Sequence, residues 1–489
     1  MTARVIIANQ NEVYAFISCE DGIAYELREY FSFRVNGYQF MPHYKAKHWD
    51  GFIRLFDPKK RQLYRGLVQH LIKLCEQRSY SWQYDDKITR HELTRPHTEQ
   101  FAKALNLTHV PHDYQIEAFQ HAINVRRSLL LSPTSSGKSL IIYLIVRYLL
   151  SQRCKKGLII VPTINLVEQL FTDFIEYSTN NNWNVEDFTH RVYQGYEKET
   201  TKRLTISTWQ SLYKMPKEFF EQFDFVVGDE CHLFKAKSLT DIMTGLINSR
   251  YRIGLTGTLD NTEVSQMVLE GLFGTVKKVT STKALMDRKL VSDFQIKCLL
   301  LKHPDTICKI AKTFTYQEEM QYLVSNEARN RFICNLTLSL KNNTLVLFQF
   351  IENHGKILLD MIKKATDRKC FFIYGGTEVE IREETRRIVE TQTNAIIIAS
   401  YPTFSMGVNI KNLHNIVFAS PSKSRIRNLQ SIGRGLRLSE TKSIATLFDI
   451  ADDLRYQKHD NFTLRHFSSR VKLYSEEKFE FKIIKIPLK

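Results

Sequence analysis

The sequence predicts an α/β protein, with two parallel-sheet domains in tandem behind a small N-terminal α+β domain. Three observations carry this. Short, continuous apolar runs recur from about residue 128, each followed by small or polar residues and then a helical stretch. They fall into two series separated near residues 275–295. Residues 1–95 lack this rhythm and are rich in aromatic and basic side chains instead. A run of about five apolar residues suits a strand buried on both faces of a parallel sheet. A chain of 489 residues is also too long for one core.

The N-terminal domain is expected over residues 1–98. AKHWDGFIRLFDPKKRQLYRGLV (46–68) reads as strands joined by an Asp57-Pro58-Lys59-Lys60 turn. The first α/β domain is expected over 99–279, with strands SLLLS (128–132), GLIIV (157–161), RLTIST (203–208), DFVVGDE (224–230) and YRIGLTGT (251–258). LIIYLIVRYLL (140–150) carries Arg147 and is too short to span a bilayer, so it reads as a buried helix. The stretch 275–295 is the expected hinge region. The second α/β domain is expected over 280–455, with strands TLVLFQF (344–350), KCFFIYGG (369–376), AIIIAS (395–400), NIVFAS (415–420) and TLFDI (446–450). Residues 456–489 are expected as a basic, aromatic C-terminal extension.

The formal net charge is +17, and most of the surplus falls after residue 280, where 34 basic residues face 22 acidic ones. Such a surplus attracts polyanions, nucleic acid above all, although solubility alone is a sufficient reason for it. The eight cysteines form no C-x-x-C pair and no disulfide-like framework, which points away from zinc and towards a reducing cytosol. The N-terminus lacks the order of a signal peptide.

SPTSSGKS (132–139) lies between a predicted strand and a predicted helix. It approaches the phosphate-loop pattern G-x-x-x-x-G-K-[ST], with Ser132 in place of the first glycine. Backbone N–H groups at the helix start suit phosphate oxygens. Gly137 leaves room for close approach, Lys138 reaches the outer phosphates, and Ser139 suits Mg²⁺. An ordinary strand–helix turn fits this stretch too. About ninety residues on, DFVVGDECH ends a predicted strand in two carboxylates. Asp229 suits the same Mg²⁺, and Glu230 suits polarisation of an attacking water.

Taken in order, PTSSGKS, VPT (161–163), STWQ (207–210), DECH (229–232), TGT (256–258) and QSIGRGLR (430–437) resemble the motifs of superfamily-2 helicases. ELREYFSF, HWDGFIRLFD, FTYQEE (314–319) and ASYPTFSMGVNIKNLHNIVFA (399–419) further resemble the recombination helicases of T-even phages, over nearly the whole chain. The resemblance implies two RecA-like domains with ATP and Mg²⁺ between them. It implies that Tyr114 and Gln115 form the adenine-sensing motif and that Thr134, Ser135, Ser136, Gly137, Lys138 and Ser139 hold the phosphates. Asp229 and Glu230 become the metal-linked acid and the water activator. His232, Thr256, Gly257 and Thr258 couple the nucleotide to the nucleic-acid groove. Gly407 and Asn409 face the nucleotide from the second domain, where the spacing after Ser400 departs from the commonest helicase pattern. Arg434 and Arg437, three apart, suit arginine fingers, with Gln430 about one turn earlier.

By the same resemblance Thr163, Ser207, Thr208, Gln210, Gly376 and Thr377 grip a nucleic-acid backbone, which positions without reading sequence. In the N-terminal domain His48, Trp49, Arg54, Lys59, Lys60, Arg61 and Arg65 interleave aromatics with cations, a pattern suited to stacking and phosphate contact. Trp49 and Phe52 fit a small core equally well. The implied activity is an ATP-dependent DNA helicase or translocase on branched or duplex DNA: junctions, stalled forks and RNA–DNA loops, in recombination, repair and replication restart. An RNA helicase, a nucleic-acid-stimulated ATPase without strand separation, and a non-catalytic nucleic-acid binder are the alternatives. The last sits poorly with Lys138, Asp229, Glu230, Arg434 and Arg437 occurring together. A monomer in the cytoplasm, that of the host if the source is a phage, without membrane association, is expected.

Overall fold

A computed structural model describes residues 4–35, 37–85, 92–193, 200–233, 236–259, 263–403, 410, 412–421 and 444–488. The N-terminal part holds β1 (Arg4–Asn9), β2 (Tyr14–Ser18), β3 (Ser32–Arg34), β4 (Phe52–Arg54), β5 (Phe56–Asp57), β6 (Gln62–Tyr64) and β7 (Ser81–Asp85). Five of them form a mixed sheet in the order β5-β6-β2-β1-β7, and β3 pairs separately with β4. The helices Asp21–Tyr30 and Val68–Gln77 cover it, burying Ile23, Leu27, Leu71 and Leu74. The expected turn is present: Asp57 Oδ1 accepts from the N–H groups of Lys59 (2.9 Å) and Lys60 (3.0 Å), and β5 returns antiparallel as β6.

The first large sheet comprises β8 (Arg127–Leu131), β9 (Gly157–Val161), β10 (Thr189–Val192), β11 (Leu204–Thr208), β12 (Phe225–Gly228), β13 (Tyr251–Thr256) and β14 (Val276–Lys278). Its order is β10-β11-β9-β12-β13-β8-β14, and every pairing is parallel. β9, β11 and β12 are buried at every position, as continuous apolar runs require. The greasy segment after the phosphate-loop motif is the helix Lys138–Ser151, with Leu140 to Val146 all buried.

The N-terminal sheet and the first large sheet share one apolar core, which runs from Val5 and Leu63 to Leu272 and Phe273. The seam is close. A Cβ at Gly66 would lie 1.9 Å from the main-chain O of Glu270, so only glycine fits there. His70 Nε2 meets the Glu270 carboxylate at 2.6 Å across the same seam. Residues 1–98 are therefore packed into the first α/β domain.

The second large sheet comprises β15 (Asp293–Lys302), β16 (Thr344–Phe348), β17 (Cys370–Ile373), β18 (Ile396–Ser400), β19 (Asn415–Phe418), β20 (Ile444–Asp453) and β21 (Glu480–Pro487). Its order is β17-β18-β16-β19-β20-β15-β21, again all parallel. One compact unit comprises Met1–Ser132 and Gly137–Thr280, and the other Pro133–Ser136 and Ser281–Lys489. Residues 456–489 are not a separate extension. The helix Phe462–Glu476 buries Leu464, Phe467, Leu473 and Tyr474, and β21 pairs with β15 along eight residues. EFKIIKIP disguises this strand because an edge strand keeps charged, exposed side chains beside its apolar ones. Among the described residues no helix is long and apolar enough to cross a membrane.

Candidate nucleotide and nucleic-acid sites

The phosphate-loop segment leaves the C-terminal end of β8 and enters the helix Lys138–Ser151. Ser132 N–H donates to Thr256 O (2.9 Å), which ties the start of the turn to the end of β13. Ser135 (φ 69°) and Gly137 (φ 74°) take left-handed backbone, so the loop is bent even without the first glycine. A Cβ at Gly137 would lie 2.3 Å from Gln115 Nε2. The Gln115 amide therefore closes on the loop, while its Oε1 accepts from His112 N–H (2.8 Å) and caps the helix Asp113–Val125. Tyr114 stacks on His112 at 5.5 Å.

Opposite the loop, β12 ends at Gly228, and Asp229 N–H donates to Ile160 O at 2.9 Å. Lys138 Nζ lies 3.1 Å from Glu230 Oε1 and 3.5 Å from Ser132 O. Burial, then the Glu230 charge, push the Asp229 carboxyl up to about 7, with Lys138 acting against them. Glu230 holds left-handed backbone (φ 48°), a strained choice for a non-glycine residue. His232 Nδ1 lies 2.6 Å from Thr256 Oγ1, and the Thr256 hydroxyl lies 2.8 Å from Thr258 O. With its one proton directed at that carbonyl, Thr256 accepts from His232, so Nδ1 carries the hydrogen. Glu230 Oε2 lies 3.5 Å from His232 Nδ1, so Lys138, Glu230, His232, Thr256 and Thr258 are successive neighbours, with Gly257 between the two threonines.

Two further side chains join this group. Tyr177, on the helix Ile164–Ser178, hydrogen-bonds Ser139, and Asp173 on the same helix adds negative charge near Asp229. Neither stands out in the sequence, because both sit in an ordinary amphipathic helix pattern.

The residues suit a Mg²⁺–nucleotide. The left-handed backbone at Ser135 and Gly137 turns the loop into the start of the helix Lys138–Ser151, where main-chain N–H groups suit phosphate oxygens. Two adjacent carboxylates crowd one ammonium, a charge arrangement that a divalent cation relieves. Among the described residues no group of three or more His, Cys, Asp or Glu side chains is placed to hold a metal by itself.

The positions expected to grip a nucleic-acid backbone divide. Ser207 and Thr208 are 0% and 3% exposed. Ser207 Oγ donates to Val192 O (2.8 Å), and Thr208 Oγ1 pairs with Ser211 Oγ (3.0 Å). Their hydroxyls are thus engaged with the neighbouring strand and the following turn. Thr163 caps the helix Ile164–Ser178, and Gln210 Nε2 donates to Pro162 O at 3.1 Å. Gly376 and Thr377 follow β17, where Thr377 Oγ1 accepts from Tyr374 N–H at 3.0 Å. Gly407, Asn409, Gln430, Arg434 and Arg437 lie outside the described residues.

In the N-terminal part Arg54, Lys59, Lys60 and Arg61 line one cleft of about 830 Å³, joined by Tyr25 and Arg28. Arg54 pairs with Asp50, and Arg61 with Asp21, while Lys59 and Lys60 are exposed. Trp49 is half-buried and donates its indole N–H to Phe52 O (2.8 Å), which gives it a structural part; it does not line the cleft. Tyr25 and Arg28 escape sequence reading because their three-residue spacing becomes a shared face only once the helix is known.

Comparison with known proteins agrees along the whole chain. The family described as "DNA helicase UvsW, N-terminal" matches residues 6–85, "Type III restriction enzyme, res subunit" matches 108–261, and "Helicase conserved C-terminal domain" matches 328–439. The ATP-dependent DNA helicase uvsW of Enterobacteria phage T4 is 35% identical over 484 residues, covering 95% of this chain and 96% of that protein. The chain belongs to the UvsW family of superfamily-2 helicases. The crystal structure of T4 UvsW covers 99% of this chain and 100% of its own, with a TM-score of 0.53 at 33% identity. A DNA 3'-5' translocase, XPB2 of Sulfurisphaera tokodaii, is 26% identical over 230 residues, 47% of this chain and 46% of its own. As a UvsW-family protein the chain is an ATP-dependent helicase of two RecA-like domains.

Proposed function

We propose that this UvsW-family helicase is a DNA translocase acting on branched DNA, namely junctions, stalled forks and RNA–DNA loops, in recombination, repair and replication restart. The observation that carries the motor reading is the Lys138–Glu230 contact of 3.1 Å beside buried Asp229. With Mg²⁺–ATP bound, Lys138 would leave Glu230 for the outer phosphates, and Ser139 and Asp229 would hold the Mg²⁺. The bound Mg²⁺–ATP supplies the phosphoanhydride whose cleavage drives the cycle. Glu230, freed of its lysine, orients the attacking water and accepts its proton at a carboxylate oxygen. His232 and Thr256 carry the change at Glu230 to the turn at Thr258. By the same reading Arg434 and Arg437 are assigned the part of arginine fingers, Gln430 a part in hydrolysis, and Gly407 and Asn409 contact with the nucleotide.

Branch selectivity is assigned to the N-terminal cleft, whose cations follow phosphates and whose Tyr25 offers a stacking face. The T4 relative's likeness extends through this domain, which supports DNA as the substrate. An RNA helicase is the second reading, favoured by backbone-gripping positions that do not read bases. ATPase stimulation by forks, four-way junctions, linear duplexes, RNA–DNA hybrids and RNA separates the two. The proposal expects branched DNA to stimulate most. Equal or greater stimulation by single-stranded RNA contradicts it.

A further inference from the structure

A second basic pocket lies at the seam between the N-terminal sheet and the first RecA-like domain. Its volume is about 260 Å³, below the usual range for drug-sized ligands and suited to a small anion. Arg65 comes to it from the N-terminal side, and Arg126, Arg127 and Arg250 from the RecA-like side. Glu12 is the one carboxylate among its lining residues. Arg127 begins β8, and the phosphate-loop segment leaves the other end of that strand. This five-residue strand is roughly 16 Å long, so the pocket and the phosphate loop lie at its opposite ends.

The hydrogen-bond pattern shows what is missing. Arg65 donates from Nη1 alone, to Asn11 O (3.2 Å) and Glu12 Oε2 (2.6 Å). Arg127 donates from Nη2 alone, to Glu12 O (2.7 Å) and to the Glu12 carboxylate. Among the described residues the other guanidinium nitrogens of this pair meet no protein acceptor, and none of them is sealed from solvent. Both side chains are otherwise well covered, at 7% and 12% exposure. Two nearly buried guanidiniums therefore share one carboxylate and turn their remaining N–H groups towards a cavity rimmed by two more. Burial, then the charge of Arg65, hold Arg127 down at about 10, the direction expected where cations crowd. Planar forks of N–H donors in excess of carboxylates match the oxygens of a phosphate group.

We infer that this seam pocket is a phosphate-binding site, distinct from the ATP site, whose ligand bridges the N-terminal domain and the first RecA-like domain. The source is either a free phosphate compound or a phosphate of the nucleic-acid backbone, and both present the same oxygens to the pocket.

The test uses the full chain carrying Lys138→Ala, which disables phosphate binding at the nucleotide loop. Inorganic pyrophosphate is titrated without Mg²⁺ by calorimetry. One saturable site is expected, and Arg250→Glu should weaken it about tenfold or more, the loss of one charge-assisted contact. Arg250 is exposed, and its hydrogen bond to Asp224 O (2.8 Å) comes from the main chain, which the variant keeps. Arg126→Gly is the second variant, since Arg126 already holds left-handed backbone (φ 62°). Absence of saturable binding, or binding unchanged in both variants, overturns the inference. A short DNA oligonucleotide supplies the other arm. Displacement of pyrophosphate by DNA, lost in Arg250→Glu, assigns the site to the nucleic-acid backbone; pyrophosphate binding that DNA leaves untouched assigns it to a free phosphate compound.

Discussion

Asp229 and Asp452 are both buried aspartates at the C-terminal end of a parallel strand, one in each large sheet, and their surroundings push them in opposite directions. Asp229 has Glu230 as its neighbour, and burial and that charge raise it to about 7. Burial acts on Asp452 too, but the Arg329 charge and hydrogen bonds from His303 and Arg329 outweigh it and hold the carboxyl at about 2. Arg329 Nε lies 2.9 Å from Asp452 Oδ1, and His303 Nε2 lies 3.0 Å from it. Arg329 Nη2 also donates to Ala419 O at 2.8 Å, at the end of β19. The difference teaches how to separate a carboxylate kept for structure from one kept for chemistry. The first is fully compensated by the protein. The second is left short of positive charge until a ligand supplies it.

The comparison breaks most visibly through Lys138 and Glu230. Lys138→Ala or Glu230→Gln should lower DNA-stimulated ATP hydrolysis by about 10²–10⁴-fold, the range for a lost acid–base or phosphate contact, with DNA binding retained. Turnover at the normal rate in Glu230→Gln contradicts its role. Next in size, Asp452→Asn should cost about 3–5 kcal/mol in urea unfolding, because Arg329 is left as an uncompensated buried charge. The folded pKa of Asp452 is depressed, so its contribution is present above pH 3.8 and lost as pH falls towards about 2.

Asp229→Asn sharpens the contrast with the opposite sign. Its folded pKa is raised, so ionising Asp229 costs stability increasingly as pH rises from 3.8 through about 7. The variant should therefore melt higher than the parent at pH 8, by roughly 2–4 °C if about 1 kcal/mol is relieved, with the gain vanishing below pH 4 and hydrolysis lost throughout. A lower melting temperature at pH 8 counts against the crowded-carboxylate account. The smallest effect is expected in the N-terminal cleft. Lys59→Ala or Lys60→Ala should reduce the slope of log affinity for DNA against log salt by about 1 each. An unchanged slope removes that lysine from the contact surface.

Most of the fold is legible in the sequence for a simple reason: central parallel strands such as GLIIV and TLVLF are buried at every position and carry no charged residue to blur them. In the two large sheets the unread strands are β10, β14, β15 and β21. Three of these are sheet edges, and β15 lies next to one, where charged side chains interrupt the apolar pattern. The chemistry of Lys138, Asp229 and Glu230 is legible from order and residue type. Burial is not: the sequence does not show that Ser207 and Thr208 are buried, with hydroxyls bonded to Val192 O and Ser211 Oγ. The seam pocket is invisible to sequence reading, since Arg65 and Arg127 meet at Glu12 only through the packing of two domains.

The most direct test is a pH titration of the Asp229 carboxyl carbon by ¹³C NMR in the nucleotide-free protein, beside Asp452 as an internal reference. The account predicts a midpoint near 7 for Asp229, lower in Glu230→Gln, with Asp452 still ionised at pH 3.8. An Asp229 midpoint at the ordinary 3.8, unmoved by Glu230→Gln, contradicts it.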